Sequence, residues 1–136
     1  MKNEWNDIYK NGKELNRYPS EILVSWVFRN RVHKYKKVLD IGCGFGNNLR
    51  FLIENGFDAY GIDNSDFIIQ SISAEFNDRV SEQSIKSTSF NSESFDLLID
   101  RQSIQHNLTD DLNKIFSECK RLLEKKVINV FKLFII

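Results

Sequence analysis

Three glycines alternate with other residues directly after a short apolar run, in the order Asp40-Ile41-Gly42-Cys43-Gly44-Phe45-Gly46. Glycine lacks a Cβ, so the backbone at such positions can bend sharply and approach a ligand closely. The helix predicted to follow would present unpaired N–H groups, which favour a negatively charged group such as a carboxylate. The pattern therefore predicts a ligand-binding loop, and the alternative is a tight turn with a purely structural role.

The spacing of the glycines distinguishes between kinds of ligand. A dinucleotide-binding loop follows G-x-G-x-x-G, whereas this loop is G-x-G-x-G, with Asn47 in place of the third glycine of the dinucleotide pattern. Asp63 ends a second predicted strand, where a carboxylate can accept hydrogen bonds from both hydroxyls of a ribose. Together these features favour a ligand made of adenosine and an amino acid. They disfavour a nicotinamide-dependent oxidoreductase.

Polar side chains also follow the predicted fourth strand, and the carboxyl ends of parallel strands open onto one crevice. A histidine can accept a proton near neutral pH, and His106 is a candidate general base for an acceptor hydroxyl. Arg101 is a candidate partner for an acidic acceptor. We predict that these two residues are catalytic. For His106 the alternative is a solvated or structural role, and for Asp100, which ends the strand, it is a simple turn.

The apolar pattern predicts the elements that would position these groups. Apolar runs bounded by turn residues predict strands at 37–41, 58–62, 84–90, 95–100 and 127–136. Helical spacing predicts helices at 20–32, 47–55 and 67–76, the last capped by Ser65, and a further helix capped by Thr109. Alternating strands and helices are typical of an α/β fold with a mostly parallel sheet and flanking helices.

The composition limits the classes of protein to consider. With 136 residues, 41% hydrophobic and 28% charged, the chain fits one globular domain over 1–136. Nineteen basic and nineteen acidic residues balance, so no overall field favours nucleic acid or an anionic membrane. Two cysteines are too few for a disulfide framework or a clustered zinc site, and the first residues lack the apolar core of a signal peptide. We expect a cytoplasmic protein without a metal, nucleic-acid or membrane partner.

Three segments resemble the motifs of one family. Residues 38–46 resemble motif I of class I S-adenosylmethionine-dependent methyltransferases, 60–65 are similar to the second motif, and 90–99 are similar to the fourth-strand signature. The resemblance implies a Rossmann-like α/β fold, S-adenosylmethionine as the cofactor, and transfer of a methyl group to a small-molecule acceptor. In such a reaction the protein mainly orients the reactants, excludes water and supplies a base.

The resemblance also assigns roles to individual residues. Asp40 and the backbone at Gly42 and Gly44 would hold the methionine part of the cofactor, Asp63 would hold the ribose, and Asn64 would flank the adenine.

Other residues join this cofactor-binding set with less defined roles. Cys43 lies within the loop, and its thiol is expected to pack rather than act as a nucleophile. Asp100 is included at the end of the fourth strand. The polar contact to the adenine amine that follows the third strand in the family would fall to Ser87, Thr88 or Ser89.

The N-terminal segment 1–19 resembles the lid of small bacterial methyltransferases found with surface-polysaccharide pathways. Trp5, Tyr9 and Arg17 correspond to residues that close over the cofactor in those proteins, and Tyr9 and Arg17 are therefore assigned to cofactor binding.

The C-terminal end gives a further expectation. The family's sheet usually has seven strands, and this sequence ends at the fifth, so the fold is expected to be truncated there. An exposed sheet edge would result, and it could pair two copies as a homodimer. We predict a methyltransferase for a small polar metabolite or sugar precursor, and the alternative is a non-catalytic or truncated remnant that binds S-adenosylmethionine only.

Overall fold

The computed structural model describes residues 2–13, 17–30, 37–123 and 133–135. The described strands form a parallel sheet in the order β3-β2-β1-β4-β5. These strands are β1 (Lys37–Ile41), β2 (Asp58–Asp63), β3 (Val80–Glu82), β4 (Leu97–Asp100) and β5 (Leu133–Ile135). The α-helices are α1 (Lys2–Lys10), α2 (Glu21–Asn30), α3 (Asn47–Glu54), α4 (Asp66–Phe76) and α5 (Thr109–Leu122), with short 3₁₀ turns at Asn77–Arg79 and Ile104–His106.

The sheet is covered on both faces, which is why its central strands are almost continuously apolar. In β1, Val38 packs in the cluster beneath α2, α3 and α4, and Leu39 packs in the cluster beneath α5. In β4, Leu97 and Leu98 divide between the same two clusters. Helices on both sides of a parallel sheet give the Rossmann-like α/β fold that the sequence predicts.

The elements from β1 to α4 confirm the sequence prediction closely. β1 has the predicted bounds, and β2 extends one residue further, to include Asp63. After α3 the chain turns at Gly56, whose φ of 87° suits a residue without a side chain. At the start of α4 the Ser65 hydroxyl accepts a hydrogen bond from the Ile68 N–H at 3.2 Å, as expected of a cap.

The predicted third strand is wrong. The strand is Val80–Glu82, whereas residues 84–90 form a turn with an isolated bridge between Ser84 and Ser87, followed by a loop. A strand of three residues with one buried apolar side chain gives almost no periodic signal. Ile85 is an apolar residue within that segment, and its side chain is buried although it lies in the loop.

Smaller differences occur in the second half of the chain. Phe95 makes only an isolated bridge to Leu123, so β4 begins at Leu97 rather than at Phe95. Thr109 is the first residue of α5 rather than its cap, which is Leu108. Within the predicted strand 127–136, residues 133–135 form β5 beside β4, and 127–132 and 136 lie outside the described residues.

Hydrogen bonds and an ion pair hold the loop between β3 and β4 against α5. Glu118 is 8% exposed, and its Oε1 accepts hydrogen bonds from the Thr88 N–H at 2.8 Å and the Thr88 hydroxyl at 2.6 Å. Arg121 pairs with the same carboxylate at 2.6 Å and donates to the Phe90 carbonyl at 2.8 Å. Hydrogen bonds from Arg121 and then Thr88 lower the pKa of Glu118 to about 2. The network therefore stays charged near neutral pH and holds the loop that carries Ile85.

Candidate functional site

A cavity of about 470 Å³ opens at the carboxyl ends of the strands. It lies where the order of strands reverses, because the chain runs from β1 to β2 and β3 on one side and then crosses to β4 on the other. This is the usual ligand position in open α/β sheets, and the volume is typical of a small-molecule site. The glycine loop, the turn after β2 and the segment after β4 form its walls, with side chains from the N-terminal segment on the remaining side.

The three loop glycines are required for two different reasons. All have positive φ, at 67°, 51° and 77° for Gly42, Gly44 and Gly46. A Cβ on Gly42 would lie 1.5 Å from the Ser103 hydroxyl oxygen, and a Cβ on Gly46 would lie 2.4 Å from the Phe76 ring. Among the residues that the structure describes, a Cβ on Gly44 would have only the Tyr9 hydroxyl nearby, at 3.6 Å. Close packing thus explains Gly42 and Gly46, and the open space beside Gly44 belongs to the cavity.

Asp63 lies at the cavity with its carboxylate already hydrogen-bonded. It is 6% exposed, and its two oxygens accept from the Ser65 N–H at 2.9 Å and the Gly44 N–H at 3.1 Å. The Tyr9 hydroxyl and the Asn64 N–H donate to it as well. Burial raises the pKa of Asp63, and these donors oppose the rise. A carboxylate has about four acceptor positions, so a further donor would have to share with Tyr9 or replace it.

Asp40 lies beneath the loop, 1% exposed, and does not line the cavity. Its Oδ2 has no hydrogen-bond partner among the residues described. Burial, and then the negative charges of Asp100 and Asp63, raise the pKa of Asp40 well above its usual value, and Arg101 opposes this effect. An unpartnered buried carboxylate oxygen is rare, so a donor from a bound molecule or a bridging water is expected there.

The Asp100 carboxylate contacts the backbone of the turn that follows β4 and does not line the cavity. It is 1% exposed and accepts hydrogen bonds from the backbone N–H groups of Ser103 at 3.0 Å and Ile104 at 3.1 Å, which holds the 3₁₀ turn after β4. Burial raises the pKa of Asp100 to about 6, although both N–H groups and His106 lower it. This geometry supports the turn role that the sequence left open.

The Asp100 carboxyl leads to a testable pH dependence. Its folded-state pKa of about 6 exceeds the ordinary value of 3.8, so its contribution to stability is complete below about pH 4 and is lost as the pH rises through 6. In the wild type we expect this effect to lower the free energy of unfolding by up to about 3 kcal/mol between pH 4 and 7. Asp100→Asn, which keeps an acceptor oxygen, should remove that decline. Urea unfolding across this range measures it, with exposed Asp110→Asn as the control. Equal pH slopes for wild type and Asp100→Asn would contradict the assignment.

His106 and Arg101 both line the cavity, on the segment that follows β4. The His106 ring contacts the edge of Trp5 from α1, with ring centroids 5.1 Å apart. This contact joins α1 to the segment after β4 across the cavity. The two residues that the sequence predicts on the acceptor side are therefore brought to the same space as Gly44 and Asp63.

The remaining predicted site residues divide between the cavity and its surroundings. Tyr9 and Asn64 line the cavity, and Arg17 is exposed and does not line it. Cys43 also lines the cavity, and its thiol packs against β2, since a Cβ on Gly61 would lie 2.9 Å from its sulfur. Burial raises the pKa of Cys43 well above its usual value, which supports packing rather than nucleophilic chemistry.

Several lining residues were not predicted. After the third strand, Gln83 and Ile85 line the cavity. None of residues 87–89, which the sequence predicts to contact the adenine, lines it. The error follows from the misplaced strand. Lys13, Ser103 and Asn107 also line the cavity. Lys13 carries no motif and reaches the cavity only through the packing of α1, so nothing in the sequence distinguishes it from other lysines.

Neither a metal site nor a membrane span is found in the described part of the chain. Within the described ranges, no group of three His, Cys, Asp or Glu side chains is placed to hold a metal ion. The helices described are all too short or too polar to cross a bilayer.

Comparison with known proteins relates the geometry to a family. Residues 38–126 match the family described as a methyltransferase domain. Among curated proteins, none matches the sequence significantly. A Burkholderia thailandensis 1,6-didemethyltoxoflavin-N1-methyltransferase, solved with 1,6-didemethyltoxoflavin and S-adenosylhomocysteine, has a TM-score of 0.73 at 16% identity, over 90% of this chain and 56% of its own.

Two further structures share the fold. A Pyrococcus horikoshii protein has a TM-score of 0.65 at 27% identity, over 89% of this chain and 61% of its own. A protein solved in work on the conversion of a disulfide bond into a thioacetal group during echinomycin biosynthesis has a TM-score of 0.77 at 19% identity, over 90% of this chain and 56% of its own. This chain thus spans little more than half the length of these similar structures.

Proposed function

Since this chain belongs to the methyltransferase domain family, we propose that it binds S-adenosylmethionine in the cavity beside Gly44 and transfers a methyl group to a small polar acceptor. The observation that carries the proposal is the open space at the Cβ position of Gly44, next to the buried carboxylate of Asp63. Both features lie at the reversal of strand order, where a nucleoside with an amino-acid tail fits between β1 and β2.

The residues present fit this cofactor. Asp63 would accept from the ribose hydroxyls, and Asn64, Gln83 and Ile85 would surround the adenine. Near Gly44 the backbone leaves room for the methionine part, and the Oδ2 of Asp40, which has no partner among the residues described, would accept from its ammonium group through a bridging water. When bound, S-adenosylmethionine supplies an electrophilic methyl group on its sulfonium.

The chain's own residues would then orient the acceptor and handle its proton. His106 would take the proton of an acceptor hydroxyl, and Arg101 would orient the acceptor. Trp5 and Tyr9 would exclude water from the cavity, since α1 lies along its open side. This role for 1–19 is the lid that the sequence resemblance implies. Tyr9 donates to Asp63 in this structure, whereas Arg17 would need to move in order to reach the cavity.

Calorimetric titration with S-adenosylhomocysteine tests the cofactor directly. We expect saturable binding and a rise in melting temperature with ligand concentration, because a ligand that binds only the folded state stabilises it by mass action. NADH is the matched control and should produce no shift, because the loop has the spacing G-x-G-x-G. Absence of S-adenosylhomocysteine binding would overturn the proposal. Binding without transfer to any acceptor would support the alternative of a domain that only binds the cofactor.

The general-base role of His106 predicts a separate effect. His106→Gln keeps a polar side chain of similar reach but cannot accept and carry a proton near neutral pH. We expect methyl transfer to fall by about 100-fold or more, with S-adenosylhomocysteine affinity changed much less. Radiolabelled methyl transfer to the acceptor used by the wild type measures the first, and calorimetry measures the second. A parallel loss of melting temperature and turnover would instead indicate that His106 supports the contact with Trp5.

Finer parts of the proposal rest on the sequence. We propose an acceptor among polar metabolites or sugar precursors, including those of surface-polysaccharide pathways, with the residues 1–136 acting as one cytoplasmic domain. β5 lies at one edge of the described sheet, and pairing of two copies along that edge is the homodimer that the sequence suggests. Size-exclusion chromatography with light scattering tests the dimer.

A further inference from the structure

The charged side chains around the cavity point to one class of acceptor. Those that line it are Lys13, Asp63, Arg101 and His106. Asp63 is already held by backbone N–H groups and the Tyr9 hydroxyl. Apart from Asp63 and His106, the charged side chains of the cavity are the cations of Lys13 and Arg101. The space available to an acceptor is therefore bordered by cations.

Lys13 and Arg101 come from the two parts of the chain that meet across the cavity. Lys13 follows α1, and its backbone N–H is held by the Ile8 carbonyl at 3.1 Å. Arg101 directly follows β4. The same two segments meet where Trp5 contacts His106. Two cations are thus brought to the cavity beside the candidate base.

Neither cation has a carboxylate partner within the described residues. The ion pairs of that part of the chain join other residues, and Arg101 acts on buried Asp40 only through space. Both side chains are exposed at the cavity. Closing an uncharged molecule into this space would desolvate them without providing a partner, which costs free energy. An anion would pair with them, and the planar guanidinium of Arg101 suits the two oxygens of a carboxylate or phosphate.

We propose that the methyl acceptor of this domain carries a negative charge, as a carboxylate or a phosphate, and that Lys13 and Arg101 hold it beside His106. This inference rests on the proposed methyltransferase function and narrows its substrate class. A competing partner for the two cations is the carboxylate of the cofactor itself. The start of α3 lies next to the glycine loop and has no side-chain cap, and a helix N-terminus favours a negative group, so it offers that carboxylate a site and leaves the cations for the acceptor.

The test compares isosteric probes on the full chain saturated with S-adenosylhomocysteine. Benzoate and benzamide have the same shape and differ in charge, and inorganic phosphate represents the second anion. We expect benzoate or phosphate to bind at least about 10-fold more tightly than benzamide, a difference of about 1.4 kcal/mol. The preference should shrink as salt is raised. Comparing benzoate with phosphate shows whether the site prefers a carboxylate or a phosphate. Equal binding of benzoate, phosphate and benzamide would overturn the proposal.

Variants of Lys13 and Arg101 test whether these two residues cause the preference for the anion. Lys13→Gln and Arg101→Gln should each reduce the preference for the anion at least about 3-fold, whereas Lys10→Gln, an exposed lysine on α1 outside the cavity lining, should not change it. An unchanged preference in both cavity variants would contradict the assignment.

A second comparison separates the acceptor from the cofactor. Methylthioadenosine lacks the amino-acid carboxylate of S-adenosylhomocysteine. If Arg101→Gln and Lys13→Gln weaken S-adenosylhomocysteine but not methylthioadenosine, the cations bind the cofactor, and the anionic acceptor is refuted while the proposed function stands. If both variants bind the two nucleosides as the wild type does, the proposal is supported. Failure of the wild type to bind S-adenosylhomocysteine would refute the proposed function and this inference with it.

Discussion

Gly44→Val is expected to abolish binding of S-adenosylhomocysteine while the chain still folds. Gly44 is the loop glycine whose missing side chain leaves open space in the cavity, and a valine there would fill the space that the ligand needs. Its φ of 51° adds strain for a β-branched residue. We expect affinity to fall at least about 100-fold, which corresponds to about 2.7 kcal/mol. Calorimetry measures the affinity, and circular dichroism with thermal unfolding measures the fold.

Gly56→Val is the matched control for this variant. Gly56 also has positive φ, at 87°, but no atom of the described residues lies within 4 Å of its Cβ position, and it is far along the chain from the loop. The backbone strain should therefore reduce stability in both variants, while only Gly44→Val loses the ligand. If Gly44→Val binds S-adenosylhomocysteine as well as Gly56→Val does, the cavity beside the loop is not the cofactor site.

Asp63→Ala is expected to reduce cofactor affinity by roughly 2–4 kcal/mol, or about 30-fold to 1,000-fold. The reason is the loss of charge-assisted hydrogen bonds to the ribose hydroxyls. The same carboxylate holds the N–H groups of Gly44 and Ser65, so the substitution also loosens the loop. The measurement is therefore a titration with S-adenosylhomocysteine accompanied by the free energy of unfolding of the unliganded chain.

Asp63→Asn separates the two consequences. Asparagine keeps one acceptor oxygen, so it can hold the N–H of Gly44 or of Ser65 but not both, and it loses the charge. We expect it to recover part of the stability that Asp63→Ala loses, with affinity between the wild type and Asp63→Ala. Unchanged affinity in both variants would remove Asp63 from the ribose site. A loss of affinity that only tracks the loss of stability would assign Asp63 to the loop alone.

The strands with dense local signals were predictable from the sequence. β1 and β2 are apolar runs that end in glycine or aspartate, and α4 has the serine cap that stabilises its first turn. β3 was not predictable in this way, because three residues with one buried apolar side chain resemble a loop. Its hydrogen bonds to β2 are non-local, and they decide where the strand lies.

The site was predictable where chemistry follows directly after a strand. Gly44, Asp63, Arg101 and His106 all reach the cavity because the carboxyl ends of parallel strands meet there. Lys13 was missed because its place depends on how α1 packs. Asp100, which the sequence leaves open between cofactor binding and a turn, shows the limit of this rule, since a carboxylate at the end of a strand can turn back to hold its own backbone.

The contact between Tyr9 and Asp63 has a consequence for the speed of cofactor entry. Tyr9 donates to the carboxylate that the ribose would use, and Asn6 on the same helix hydrogen-bonds to Ser65 and Asp66. The ribose would therefore compete with Tyr9 for Asp63, and we expect α1 to move away before the cofactor is fully bound. In stopped-flow experiments the observed association rate should level off at high ligand concentration, at the opening rate of α1, instead of rising in proportion to concentration. The hydrogen bonds of Asn6 to Ser65 and Asp66 would form again over the bound cofactor and lengthen its residence time.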